Sequence, residues 1–169
     1  MSKKSFSELI YIAFGTNLGE KLTNIECAIE LMKKRGVHVI RISPIYQSNP
    51  VGFQSEELFY NGVVECDFEG GPEELLKHLK EIERTMGRKA KTTDGYESRI
   101  IDLDIILYKD QILNNVKDLQ IPHIEMTKRD FVLYPLYQLV NEHVFTSVGK
   151  SVKLLINQLK DDSSLFIVR

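Results

Sequence analysis

The segment RIIDLDIILY, Arg99 to Tyr108, constrains the fold most, because it sets two aspartates two residues apart inside an otherwise apolar run. Such an isoleucine- and leucine-rich stretch is expected to be a strand, along which successive side chains alternate between faces. Ile101, Leu103, Ile105 and Leu107 then share one face, while Ile100, Asp102, Asp104 and Ile106 share the other. The first face is core. The second carries adjacent like charges that resist desolvation and repel each other, so a compensating cation is needed.

The flanking pattern supplies the architecture. A strand over 8–14 breaks at Gly15-Thr16-Asn17-Leu18-Gly19, and Leu22, Ile25, Ile29 and Met32 then recur at helical spacing up to a C-cap at Gly36. A strand over 37–46 runs into a long loop, QSNPVGFQSEE, and a third strand covers 59–68. Gly70-Gly71-Pro72 opens a second helix with a stripe of Leu75, Leu79, Ile82 and Met86, closed by Gly87. The basic stretch GRKAKTTDGYESR has no apolar periodicity and is expected to be a loop before the strand at 100–108. Beyond a turn at Lys109-Asp110, the order is a short extended piece, IPHIEMTKRD, a helix over 131–140 that Pro135 should disturb, a helix over 151–159, and a strand-like piece at 165–168. Strand, helix, strand, strand, helix, strand is the ferredoxin-like βαββαβ pattern. The fold class is therefore α+β: a mostly antiparallel sheet with helices on one face, long loops of the kind that carry function, and extra C-terminal helices. The acidic face of the last core strand should look toward the loops.

Composition narrows the functions. Lys+Arg 22 against Asp+Glu 24 gives no global basic field, so no nucleic-acid partner is expected. Cys27 and Cys66 lie far apart and outside metal-binding spacing, which suits a reduced, cytoplasmic protein. MSKKSFSE turns polar at once and LIYIAF is too short to cross a bilayer, so neither a signal peptide nor a membrane partner is expected. At 169 residues the expected unit is one domain, 1–169, without a second catalytic domain, and a monomer.

Asp102 and Asp104 are either solvated carboxylates on an exposed sheet face or a magnesium site. Hard cations prefer carboxylate oxygens, and magnesium commonly takes one or two of them together with substrate phosphates. Arg88, Lys89, Lys91, Arg99, Lys128 and Arg129 gather around this strand in sequence, as phosphate binding would require. Neither the P-loop nor the G-x-G-x-x-G spacing occurs. His123 is open to three roles, as metal ligand, phosphate donor or structural histidine. Asn61 suits a bulge or the edge of a heterocycle, and Phe59, Tyr60 and Phe131 suit the core or the faces of a flat ring.

AFGTNLGEKLTNI, SPIYQSNPVG, FYNGVV, EIERTMGR, SRIIDLDIILY and IPHIEMTKRDFVLYPL occur in that order over nearly the whole chain. Together they resemble the 6-hydroxymethyl-7,8-dihydropterin pyrophosphokinases, folate-pathway enzymes that move a pyrophosphoryl group from ATP to the pterin. R-x-x-D-L-D followed by two aliphatics, with P-H and R-x-F downstream, is the most specific part. The resemblance implies ATP as co-substrate and two Mg2+ ions held by Asp102 and Asp104. It implies a catalytic set of Arg88, Arg99, Asp102 and Asp104, and an ATP site that includes Glu83, Arg88, Tyr96, Arg99, His123 and Arg129. It also implies a pterin site of Ser48, Pro50, Val51, Phe59, Asn61 and Phe131. The chain departs from the common pattern at Asn49, Ala90, Tyr96, Glu97 and Ile124. Rival readings are a binding protein on the same scaffold, or a nucleotidyl transferase or phosphohydrolase using the same aspartates.

Overall fold

The computed structural model describes residues 2–49, 57–88, 98–116, 118–160 and 164–169. Its main sheet contains β1 (Ile10–Thr16), β2 (His38–Ile42), β3 (Tyr46–Ser48), β4 (Phe59–Asp67), β5 (Asp102–Tyr108) and β8 (Phe166–Ile167). The order is β5-β1-β4-β3-β8, with β2 on the same edge of β4 as β3 but at its other end, and every pairing is antiparallel. A hairpin of β6 (Leu113–Val116) and β7 (Leu119–Ile121) forms a second, small sheet. The single strand expected over 37–46 is thus two, separated by Ser43-Pro44-Ile45, because proline lacks the N–H that a continuous ladder needs.

Helices α1 (Lys21–Lys34) and α2 (Pro72–Thr85) cover one face. Their stripes, Ile25, Ala28 and Met32 from α1 and Leu75, Leu79 and Ile82 from α2, are buried against Ile12, Phe14, Leu103 and Ile105. Pro72 opens α2 after Gly71, and Gly87 ends it with φ 95°, a conformation that a residue without Cβ adopts freely. The opposite face is covered over much of its area by α3 (Asp130–Val140) and α4 (Val152–Asn157), whose Leu133, Leu136 and Leu155 pack with Tyr11, Val63 and Ile106. Pro135 lies inside α3 without ending it. On this face the buried Glu65 accepts two hydrogen bonds from Arg41 at 2.8 Å and one from the Tyr11 hydroxyl at 3.1 Å, and Arg41 also reaches the Leu139 carbonyl.

Two details of β5 differ from simple alternation. The strand begins at Asp102 rather than Ile100, and Ile106 is an extra residue, since Tyr11 faces Leu107 while Ile12 faces Ile105. This bulge turns Leu107 to the α3 side beside Ile106 and sends Tyr108 to the α1–α2 side. β5 is the edge strand of the sheet, and its Ile106 carbonyl accepts the His123 backbone N–H at 2.9 Å, which ties the segment after β7 to the acidic strand.

Candidate active site

The register of three strands builds the site. Gly15 of β1 stands between Asp102 and Asn61, and Ala13 stands between Asp104 and Val63. Two small residues in the middle strand leave a trough between the carboxylates and the Asn61 amide; a Cβ on Gly15 would lie 3.0 Å from the Asn61 Oδ1. A cleft of about 750 Å³, including its open mouth, lies over this trough. Asp102, Asp104, Arg99, His123 and Arg129 line it together with Ser48, Asn49, Phe59, Asn61 and Phe131. The structure therefore gathers residues expected at metal, nucleotide and pterin positions around one cavity. Pro50, Val51 and Tyr96, with Lys89, Ala90, Lys91 and Glu97, lie outside the described residues.

Asp102 receives the compensating charge that the sequence demands. The Arg88 guanidinium lies 2.6 Å from its Oδ1 and Arg99 lies 3.1 Å from its Oδ2. Burial tends to raise this carboxyl, but Arg99 and Arg88 outweigh burial and hold it below the usual range. Asp104 moves the other way, because burial and the neighbouring Asp102 charge raise it against the opposing effects of His123, Lys80 and Arg129. The two carboxylates of one face thus have opposite electrostatic settings.

Glu83 is 2 % exposed and sits behind Asp102 rather than on the cleft lining. It accepts the Leu103 N–H at 2.8 Å and faces Arg88 at 2.7 Å, so the last turn of α2 is tied to β5 and Arg88 spans two carboxylates. Burial raises Glu83, partly offset by Lys80, the Leu103 N–H and Arg88. His123 is held below its ordinary range chiefly by burial, and its Nδ1 accepts the Glu125 N–H at 3.1 Å. That bond assigns the neutral ring's proton to Nε2. Arg129 flanks α3 with its guanidinium 5.7 Å from the Phe131 ring centre. On the far side of the cleft the Asn61 Nδ2 donates to Ser48 Oγ at 2.6 Å, and the Asn49 Nδ2 donates to Ser164 Oγ at 2.8 Å, beside the β3–β8 pairing.

Sequence reasoning passed over Gly15 and Ala13 as site residues, although a strand ending in A-F-G-T-N is a visible signal for a backbone left bare. Among the described residues no three His, Cys, Asp or Glu side chains form a metal cluster. Two oxygen donors on one rigid strand nevertheless fit an ion that completes its shell with water and substrate phosphates. No helix of the described residues is long and apolar enough to cross a membrane.

A split βαβ sheet that sets two carboxylates, several cations and an amide around one cleft is suited to handling a phosphorylated ligand beside a flat polar ring. The family model described as 7,8-dihydro-6-hydroxymethylpterin-pyrophosphokinase matches residues 11–141. A Porphyromonas gingivalis 2-amino-4-hydroxy-6-hydroxymethyldihydropteridine pyrophosphokinase is 35% identical over 129 residues, covering 76% of this chain and 88% of that one. The folic acid synthesis protein fol1 of Pneumocystis carinii is 36% identical over 155 residues, 92% of this chain but only 20% of the relative, so the chain spans about a fifth of that protein's length. A Plasmodium falciparum HPPK-DHPS crystal structure superimposes with a TM-score of 0.68 at 16% identity, over 89% of this chain and 43% of that one, which shows a shared fold. The chain belongs to the 7,8-dihydro-6-hydroxymethylpterin-pyrophosphokinase family.

Proposed function

We propose that residues 1–169 act as one cytoplasmic, monomeric pyrophosphokinase domain in folate biosynthesis. The reaction joins the hydroxyl oxygen of 6-hydroxymethyl-7,8-dihydropterin to the β-phosphorus of ATP, breaks the bond from that phosphorus to the α-bridging oxygen, and releases AMP. The observation that carries this reading is the single cleft shared by Asp102, Asp104, Asn61, Phe59 and Phe131.

Asn61, with Gly15 beside it, offers a polar edge for the pterin, and Phe59 and Phe131 offer faces for its ring. Ser48 orients the Asn61 amide through the bond between them. Arg99, on the cleft lining, would turn from Asp102 to phosphate oxygens, and Arg88, held between Glu83 and Asp102 behind that lining, would have to swing out to follow it, while His123 presents Nε2–H and Arg129 a fixed positive charge. Asp102 and Asp104 would hold two Mg2+ ions, which when bound supply charge neutralisation and in-line orientation of the triphosphate. The hydroxyl proton leaves to solvent or to a carboxylate of the pair.

The pterin half of this reading is tested by fluorescence titration with the pterin substrate. Asn61→Ala should raise Kd about tenfold or more by leaving ring-edge groups unpaired, with little change in nucleotide affinity. An unchanged pterin Kd would place the ring elsewhere.

A further inference from the structure

The turn Asn17-Leu18-Gly19 that follows β1 takes no part in the chemistry above, yet it contains Asn17, a polar residue with 0 % exposure. Three hydrogen bonds join it to two residues far along the chain. Its backbone N–H donates to the Arg99 carbonyl at 3.2 Å, its Oδ1 accepts the Arg99 N–H at 2.7 Å, and its Nδ2 donates to Ser98 Oγ at 3.0 Å. Backbone and amide together therefore grip both backbone polar groups of Arg99, its N–H and its C=O. The turn carrying Asn17 is itself fixed, since Asn24 Nδ2 donates to the Leu18 carbonyl at 2.8 Å.

We propose that Asn17 is a positioning residue for Arg99: it fixes the backbone from which that side chain leaves the sheet, and so the distance over which the guanidinium can move from Asp102 to a substrate phosphate. The second half rests on the function proposed above. The residue type follows from the contacts. A carboxamide carries its acceptor and its donor on two separate atoms, so it accepts from Arg99 and donates to Ser98 at once without charge; an aspartate would bring a buried negative charge toward Asp102, and a leucine would leave the Arg99 N–H unpaired. Small displacements of such an anchor matter because catalytic groups lose much of their effect when misplaced by about 1 Å.

A double-mutant cycle on the full chain tests this, with AMP release at saturating substrates and magnesium as one readout and NMR exchange of the Arg99 amide hydrogen as the other. Asn17→Ala should lower kcat about tenfold, leave the pterin Kd unchanged and speed exchange at Arg99. In the Arg99→Ala background the same substitution should change kcat by less than about twofold, because its effect passes through the arginine. Equal losses in both backgrounds, or unaltered exchange at Arg99, would overturn the proposal. If Asn17→Ala unfolds the chain, Ser98→Ala, which removes only the amide–hydroxyl bond, carries the same cycle with an expected loss of about fivefold, roughly the effect of one neutral hydrogen bond. Failure of the unaltered chain to release AMP would count against the proposed reaction instead, and amide exchange alone would then decide the role of Asn17.

Discussion

Asp102 and Asp104 differ by one turn of the pleat and by everything around them. Asp102 is already ion-paired to Arg88 and Arg99, whereas Asp104 is pushed toward its neutral form by burial and by Asp102 itself. A carboxyl raised in the folded state opposes folding once it ionises, so Asp104 costs the metal-free protein stability as pH rises above about 4, the ordinary aspartate range. Asp104→Asn should therefore raise Tm at pH 7 in EDTA, by roughly 2–4 °C if the relief is about 1 kcal/mol at this chain length. The gain should vanish below about pH 4, where both states are protonated. The same variant should lose at least about 10²-fold in kcat, because a residue kept at a cost to stability is kept for its chemistry. A variant less stable at pH 7, or nearly as active as the original, would remove the basis for the magnesium assignment.

At the scale of elements, the register of β1 against β4 and β5 decides what the cleft contains. Phe14 lies opposite Gly62, and a Cβ on Gly62 would sit 2.2 Å from the Phe14 ring. Gly62→Ala should therefore displace a ring that packs in the core and borders the cleft, at a cost of about 1–3 kcal/mol measured by urea unfolding. A change within about 0.5 kcal/mol would mean that the β1–β4 register is wrong. Much of this level was legible in the sequence: the stripe of α2 and the alternation of Ile101, Leu103 and Ile105 are local periodicities, and they packed as their spacing required. What could not be read was set by partners distant in sequence. The bulge at Ile106 depends on β1, the Glu83–Arg88–Asp102 chain depends on α2 ending beside the start of β5, and the grip of Asn17 on Arg99 spans 82 residues. The aspartate pair itself was visible because a charge inside an apolar strand contradicts its surroundings.

At the scale of the whole molecule, two helical layers hold a sheet in which Gly15 and Ala13 of the interior strand β1 leave room for ligands above one end. On the proposed function both substrates would meet in that one cleft, so the pterin hydroxyl and the ATP β-phosphorus would be brought together only when both are bound. The most direct measurement is the identity of the nucleotide product when the purified chain is given ATP, magnesium and 6-hydroxymethyl-7,8-dihydropterin. AMP should form in equal amount to pterin diphosphate and should require all three. Formation of ADP, or of AMP when the pterin is left out, would contradict pyrophosphoryl transfer in this cleft.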